Sequence, residues 1–222
     1  VNASNVTVQN NTIEDGDIGI TIQNYSGVVD NITIENNNVK EARIGLALYG
    51  RTGYRDITNI TVENNTFTSE AYVSGAYGVN IQTADISDLN FNNNLIKNVA
   101  YGFRVSNSSA AVVGPVTLRH NQFVYNYYHL LYYNDPATVT IDAEENWWDS
   151  LYGPADSGFG SLYLGTTGLV DYSPWCGDAE CSFLVYMMEG TDLQAAIDAL
   201  SLGDYLYVPA GTYTDGGSDG YT

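Results

Sequence analysis

A short motif returns five times along this 222-residue chain, and its return leaves few folds open. The copies are NVTVQNNTI from Asn5, NITIENNNV from Asn31, NITVENNTF from Asn59, DLNFNNNLI from Asp88 and PVTLRHNQF from Pro115. Their starts at 5, 31, 59, 88 and 115 lie 26, 28, 29 and 27 residues apart. A weaker sixth copy, TVTIDAEENWW, begins at Thr138. Each of the five is followed by a partner segment: GITI from Gly19, GLAL from Gly45, GVNI from Gly78, GFRV from Gly102 and HLLY from His129. The first apolar residues of the two segments stand 14 apart in four copies and 19 apart in the third, which places a five-residue insertion near Tyr72 to Ala76.

Apolar and polar residues alternate in these segments, as in Val6, Val8, Ile20 and Ile22, so they are strands with one buried face. Asn, Gly and Asp between them supply turns. Short strands repeating every 26 to 29 residues describe the coils of a parallel solenoid, stacked about 4.8 Å apart with like residue above like. At one fixed offset stand Asn11, Asn37, Asn65, Asn94 and Asn121. Two residues further on stand Ile13, Val39, Phe67, Ile96 and Phe123. Stacked Asn side chains can hydrogen-bond up and down such a ladder. A β-sandwich has no reason to repeat an Asn at that offset.

The charge balance is strongly acidic: 7 Lys plus Arg against 26 Asp plus Glu, a formal net charge of -19. Such a surface repels nucleic acid and anionic membrane, which excludes both as main partners, and it suits cations. No apolar run is long enough to span a bilayer, so direct membrane insertion is excluded too. Only two cysteines occur, Cys176 and Cys181. Their close spacing fits a small disulfide loop and an oxidising compartment better than zinc, since His120 and His129 are distant in sequence.

The ladders, together with ENWWDSLYGP from Glu144 and VDYSPWC from Val170, resemble the right-handed parallel β-helix repeat proteins of the pectate-lyase-like superfamily, in particular their microbial surface-protein branch. The resemblance implies an all-β fold with one short capping α-helix near the C-terminus and an extracellular or cell-surface location. It is specific for fold and weak for activity, because this fold hosts lyases, hydrolases, adhesins and tail spikes. LQAAIDA from Leu193 through YVPAGTY resembles the N-terminal cap helix and first coil of such proteins, yet it follows the closing motif. A capping box of Thr191 with Gln194 is expected to start the helix, Leu193, Ala196, Ile197 and Leu200 to form its apolar face, and Gly203 to end it.

Three segments are therefore expected: coils and closing motif at 1–175, a connecting segment with the disulfide at 176–189, and at 190–222 the cap helix and first strand of a following or neighbouring unit. Val1 falls inside the repeating pattern, so the chain reads as a portion of something longer. Joined in thought, Thr222 and Val1 make an uninterrupted coil entry. The expected partner is another copy, head-to-tail, with Val1, Leu193, Ile197, Leu200, Tyr205, Tyr207, Tyr213 and Thr222 as assembly residues. A tandem array, separate subunits, a circular permutation and a fragment of a longer β-helix all remain open.

No catalytic residue is expected. The outward rows read Thr7, Thr33, Thr61, Asn90, Thr117, Thr140 and Thr21, Ala47, Asn80, Arg104, Leu131, without a carboxylate. Arg104 and Arg119 have no acidic neighbour at a matching offset, and Glu35 over Glu63 reads as solvated surface. Carbohydrate binding or cleavage is the alternative reading, and an adhesin domain a third. Candidate calcium ligands are Glu14, Asp15 and Asp17 in EDGD, Asp149, Asp156 and Asp171 near the closing motif, and Asp215 with Asp219. Each of these is also an ordinary turn former. Eight Asn-X-Ser/Thr triplets occur; Asn24 and Asn107 are the better glycan acceptors, with Asn2, Asn10 and Asn64 behind them. Tyr occurs 19 times, and about half of these should be exposed, for sugar faces or lateral contacts.

Overall fold

The computed structural model describes residues 4–51, 56–105, 111–112, 114–132, 140–155, 157–164, 169–187, 192–208, 210 and 212. Val1, Asn2, Asn107, Asp156, Thr191, Tyr213, Asp215, Asp219 and Thr222 lie outside these residues.

The repeated first segments stack in register as one parallel sheet. Val6 pairs with Ile32, Ile32 with Ile60, Ile60 with Leu89 and Leu89 with Val116. Ile141 and Val170 continue the row. The partner segments stack likewise as a second sheet, Ile20 to Leu46 to Val79 to Phe103 to Leu130. The chain is thus an all-β parallel solenoid of about five turns, with a single short helix among the described residues, near the C-terminus. Inward residues of both sheets, among them Ile34, Leu46, Val62, Phe91 and Phe103, are fully buried and form one continuous core.

The paired Asn residues at the end of each first strand have separate tasks. The first of each pair, Asn10, Asn36, Asn64 and Asn93, turns the chain at φ of 57°, 56°, 55° and 56°. Asn tolerates this left-handed region better than most residues. The second points inward and forms the ladder. Asn65 N and Nδ2 both donate to Asn94 Oδ1, at 2.9 and 3.1 Å. Asn94 does the same to Asn121, and Asn121 to Asn146, so the ladder runs one rung past the five expected. Each Nδ2 also reaches backbone carbonyls, in Asn94 those of Val62 and Asn92. The apolar ladder is extended in the same way: Trp148 stacks on Phe123 with ring centroids 4.9 Å apart.

Glycine opens the second strand because successive coils touch there. A Cβ on Gly78 would stand 2.4 Å from Ile96 Cγ2 and 2.6 Å from the Gly102 carbonyl oxygen. The backbone oxygen cannot step aside, so Gly78→Ala is expected to destabilise the fold by about 3 kcal/mol, measured by urea unfolding. The insertion of the third copy is absorbed as two bulges in the strand Thr66–Gln82. Lys97 to Val99 spans two residues against five from Thr68 to Val73, and Val99 to Tyr101 two against four from Val73 to Tyr77. The excess is three plus two, the expected five.

Beyond the coils, Trp175–Cys176, Leu184–Met187 and Tyr205–Tyr207 form a small three-stranded sheet. The helix α1, Leu193–Asp198, precedes the last of these strands. Its start differs from expectation: Asp192 is the N-cap, accepting from Ala195 N at 3.0 Å. Gln194 donates to Asp198 along the helix instead of reaching back to a cap. The helix also ends sooner, with Ala199 as C-cap, while Gly203, at φ 104°, serves the turn before the strand. Among the described residues no helix is long and apolar enough to cross a membrane.

Candidate functional site

Two places at the closing end of the solenoid gather chemistry. The first lies on the outer face of the first sheet. There the sixth coil sits two residues out of its sequence alignment: Thr117 pairs with Asp142, and Asp142 with Asp171, where Thr140 was expected to follow Thr117. The outward row therefore ends in two stacked carboxylates. Arg119 also has acidic neighbours, contrary to the sequence reading. Its guanidinium meets Asp142 Oδ2 at 2.9 Å, Glu144 Oε2 at 2.5 Å and Glu145 Oε1 at 2.9 Å. Burial opposes the Arg119 charge, but these carboxylates outweigh it and raise its pKa. Burial, with Asp142 and Asp171 nearby, raises Glu144 against the pull of Arg119. Tyr186 is raised by burial and then by Asp204, Glu145 and Glu144. Three carboxylates around one half-buried guanidinium tie the fifth coil to the closing coil. Glu35 does stack on Glu63, as expected.

Cys176 and Cys181 form the expected disulfide. Although distant in sequence, His120 lies with both sulfurs in one group within 4.8 Å, the only such group of three metal-ligand atoms among the described residues. The sulfurs are bonded to each other, so no thiolate is offered to a metal. The loop closes the Asn ladder, as Cys176 N donates to the Asn146 carbonyl at 3.0 Å.

The candidate calcium ligands fall at opposite ends. Asp17 is held by Arg43 at 2.6 Å, whose hydrogen bond lowers its pKa, and Glu14 lies 3.9 Å from Lys40. Asp15 is exposed at a left-handed corner. Asp149 accepts from Tyr125 N at 3.1 Å, and Asp171 belongs to the carboxylate row. Of the glycan candidates, Asn10 and Asn64 are exposed at corners. Asn24 is not an acceptor in the folded chain: it is 1% exposed and its Nδ2 is spent on the Gly27 and Asp56 carbonyls, both at 2.8 Å.

The second place is a cleft of about 780 Å³ between the last coils and the small sheet. The bulged insertion supplies Tyr72, whose ring meets Phe159 edge-on at 5.0 Å. Opposed to them in chain order, Tyr152 meets Tyr207 and Tyr207 meets Trp175, at 6.4 and 6.2 Å. Tyr125, Asp149 and the buried Trp148 also line it. The Trp148 indole N–H has no hydrogen-bond partner. A separate outward stack, Tyr77 on Tyr101 on Tyr128, runs along the second sheet at 5.0 and 5.7 Å, with Arg104 over the first two rings. Among the described tyrosines Tyr25, Tyr72, Tyr125, Tyr152, Tyr163, Tyr205 and Tyr207 are exposed, close to the expected half, and only Tyr132 is fully buried.

Residues 1–145 match the family model described as a right handed beta helix region. The chain belongs to the right-handed β-helix family. No curated protein and no solved structure gives a significant match. The Arg119 cluster, the disulfide and the aromatic cleft all lie toward the closing end of the solenoid.

Proposed function

We propose that this β-helix is a structural unit of an extracellular assembly, joined head-to-tail to units like itself, and that it is not an enzyme. The observation that carries the proposal is α1. Its face of Leu193, Ala196, Ile197 and Leu200 buries no residue fully against its own chain, and Ile197 is 46% exposed. A helix whose apolar face is only half covered by the described residues of its own chain is suited to cover something else. Tyr205–Tyr207 holds the segment in place by pairing with Leu184–Met187, so α1 stands at the closing end. At the other end, Ser4–Gln9 is the edge of its sheet among the described residues, and Val6, Val8, Ile13 and Ile22 are only partly buried. Such an edge is a template for strand addition. The disulfide supports an oxidising compartment.

Sedimentation of the chain over a range of concentrations tests this. The wild type should associate, and Ile197→Asp with Leu200→Asp should remain monomeric with an unchanged melting temperature. A wild type that stays monomeric throughout would count against the proposal. The tyrosine stack favours a second reading, glycan contact along the second sheet, because ring faces at coil spacing suit apolar sugar faces. Retention on a glycan array that is lost in Tyr101→Ala would support it.

A further inference from the structure

We propose that the aromatic cleft at the closing end is a binding site for an organic ammonium group, a quaternary or alkylammonium head. Its size, about 780 Å³, is that of a small-molecule site. Its character is set by charge. Tyr125, Tyr152, Phe159 and Tyr207 present electron-rich rings, and all four are exposed, from 40% to 63% and 71%. Asp149 supplies a carboxylate at the cleft, held by the Tyr125 backbone N–H. Among the described lining residues none is Lys, Arg or His. The molecule around it carries a net charge of -19. Ring quadrupoles attract a cation, and the attraction grows when the cation is desolvated between several rings. The carboxylate and the field of the whole protein act in the same direction. An anionic ligand would meet all three terms as repulsion, and a neutral one would gain from none of them.

The rings are placed by independent parts of the chain. Tyr72 comes from the five-residue bulge, Tyr125 from a left-handed corner at φ 54°, and Tyr152 and Phe159 from the loop after Trp148. Tyr207 comes from the last strand of the small sheet. Trp148 and Trp175 both line the cleft, so tryptophan emission reports on its occupancy.

The test uses choline and its neutral isostere 3,3-dimethylbutan-1-ol, titrated at constant ionic strength against the full chain, read by tryptophan fluorescence. Choline should saturate the signal with a dissociation constant about tenfold or more below that of the alcohol. Asp149→Asn and Tyr152→Ala should each weaken choline several-fold, at unchanged melting temperature. n-Butylammonium, run in parallel, assigns the head group, and tighter binding of either cation than of the alcohol satisfies the proposal. Binding of neither cation more tightly than the alcohol would reduce the cleft to an apolar surface and overturn it. So would saturation by a neutral disaccharide without response to either cation, or no saturation at all.

Discussion

Asn94→Ala should cost this protein about 4 kcal/mol, more than any single deletion of an outward side chain. Asn94 is 1% exposed, so nothing from solvent replaces what is lost. Its Oδ1 accepts from both the backbone N–H and the side chain of Asn65. Its Nδ2 donates to Val62, Asn92 and Asn121. Truncation leaves the Asn65 N–H and several carbonyls buried without partners, at about 1–3 kcal/mol for each group that cannot relax. Urea unfolding should show a lower midpoint at an unchanged slope. Asn11→Ala, at the exposed end of the ladder, should cost much less, because water reaches that rung. Equal losses at the two positions would contradict the ladder account.

Stability should also fall by about 3 kcal/mol as pH drops from about 6.5 to about 4, through His129 alone. His129 occupies the coil position held by Gly19, Gly45, Gly78 and Gly102 in earlier coils, and it is fully buried. Its Nε2 donates to the Trp148 carbonyl at 3.0 Å, which fixes the tautomer, since a carbonyl can only accept. Nδ1 then faces the Asn126 amide at 3.5 Å, which already donates to the Ile96 carbonyl. Burial lowers the folded pKa to about 4, only partly offset by the Trp148 bond. Between the unfolded value of 6.5 and this folded value the unfolded chain binds one more proton, so stability is complete above the window and lost within it. His129→Gln keeps a donor for Trp148 and should flatten the slope by one proton. Parallel slopes for wild type and variant would refute the assignment. Comparing the two cancels the carboxylates, including Glu144, whose raised pKa acts in the opposite sense.

The ladders were legible because a solenoid writes its geometry into the sequence at fixed offsets. Asn37, Asn65, Asn94 and Asn121 repeat for one reason, and so do Val39, Phe67, Ile96 and Phe123. Even the bulge at Tyr72 was countable against that ruler. The closing end was not, because the ruler stops there. The sixth copy aligns by its Thr-Val-Thr-Ile, but packing follows the Asn146 rung, which shifts the strand by two residues. That shift put Asp142 in the outward row where Thr140 was expected, and Asp171 joins the row from Leu169–Asp171, a strand that carries no copy of the motif. Asn24 misled for a related reason. Turn composition says loop, while the carbonyls of Gly27 and Asp56 needed a buried donor. The cleft draws its rings from five separate segments, and no local pattern announces such a convergence.

Electron microscopy of the intact protein, as isolated from its source, tests the head-to-tail account most directly. The account predicts rods or filaments in which coils follow one another without a break, repeating at the length of one unit, with α1 seated on the first coil of the next stack. Discrete particles of a single unit, with α1 facing solvent, would contradict it.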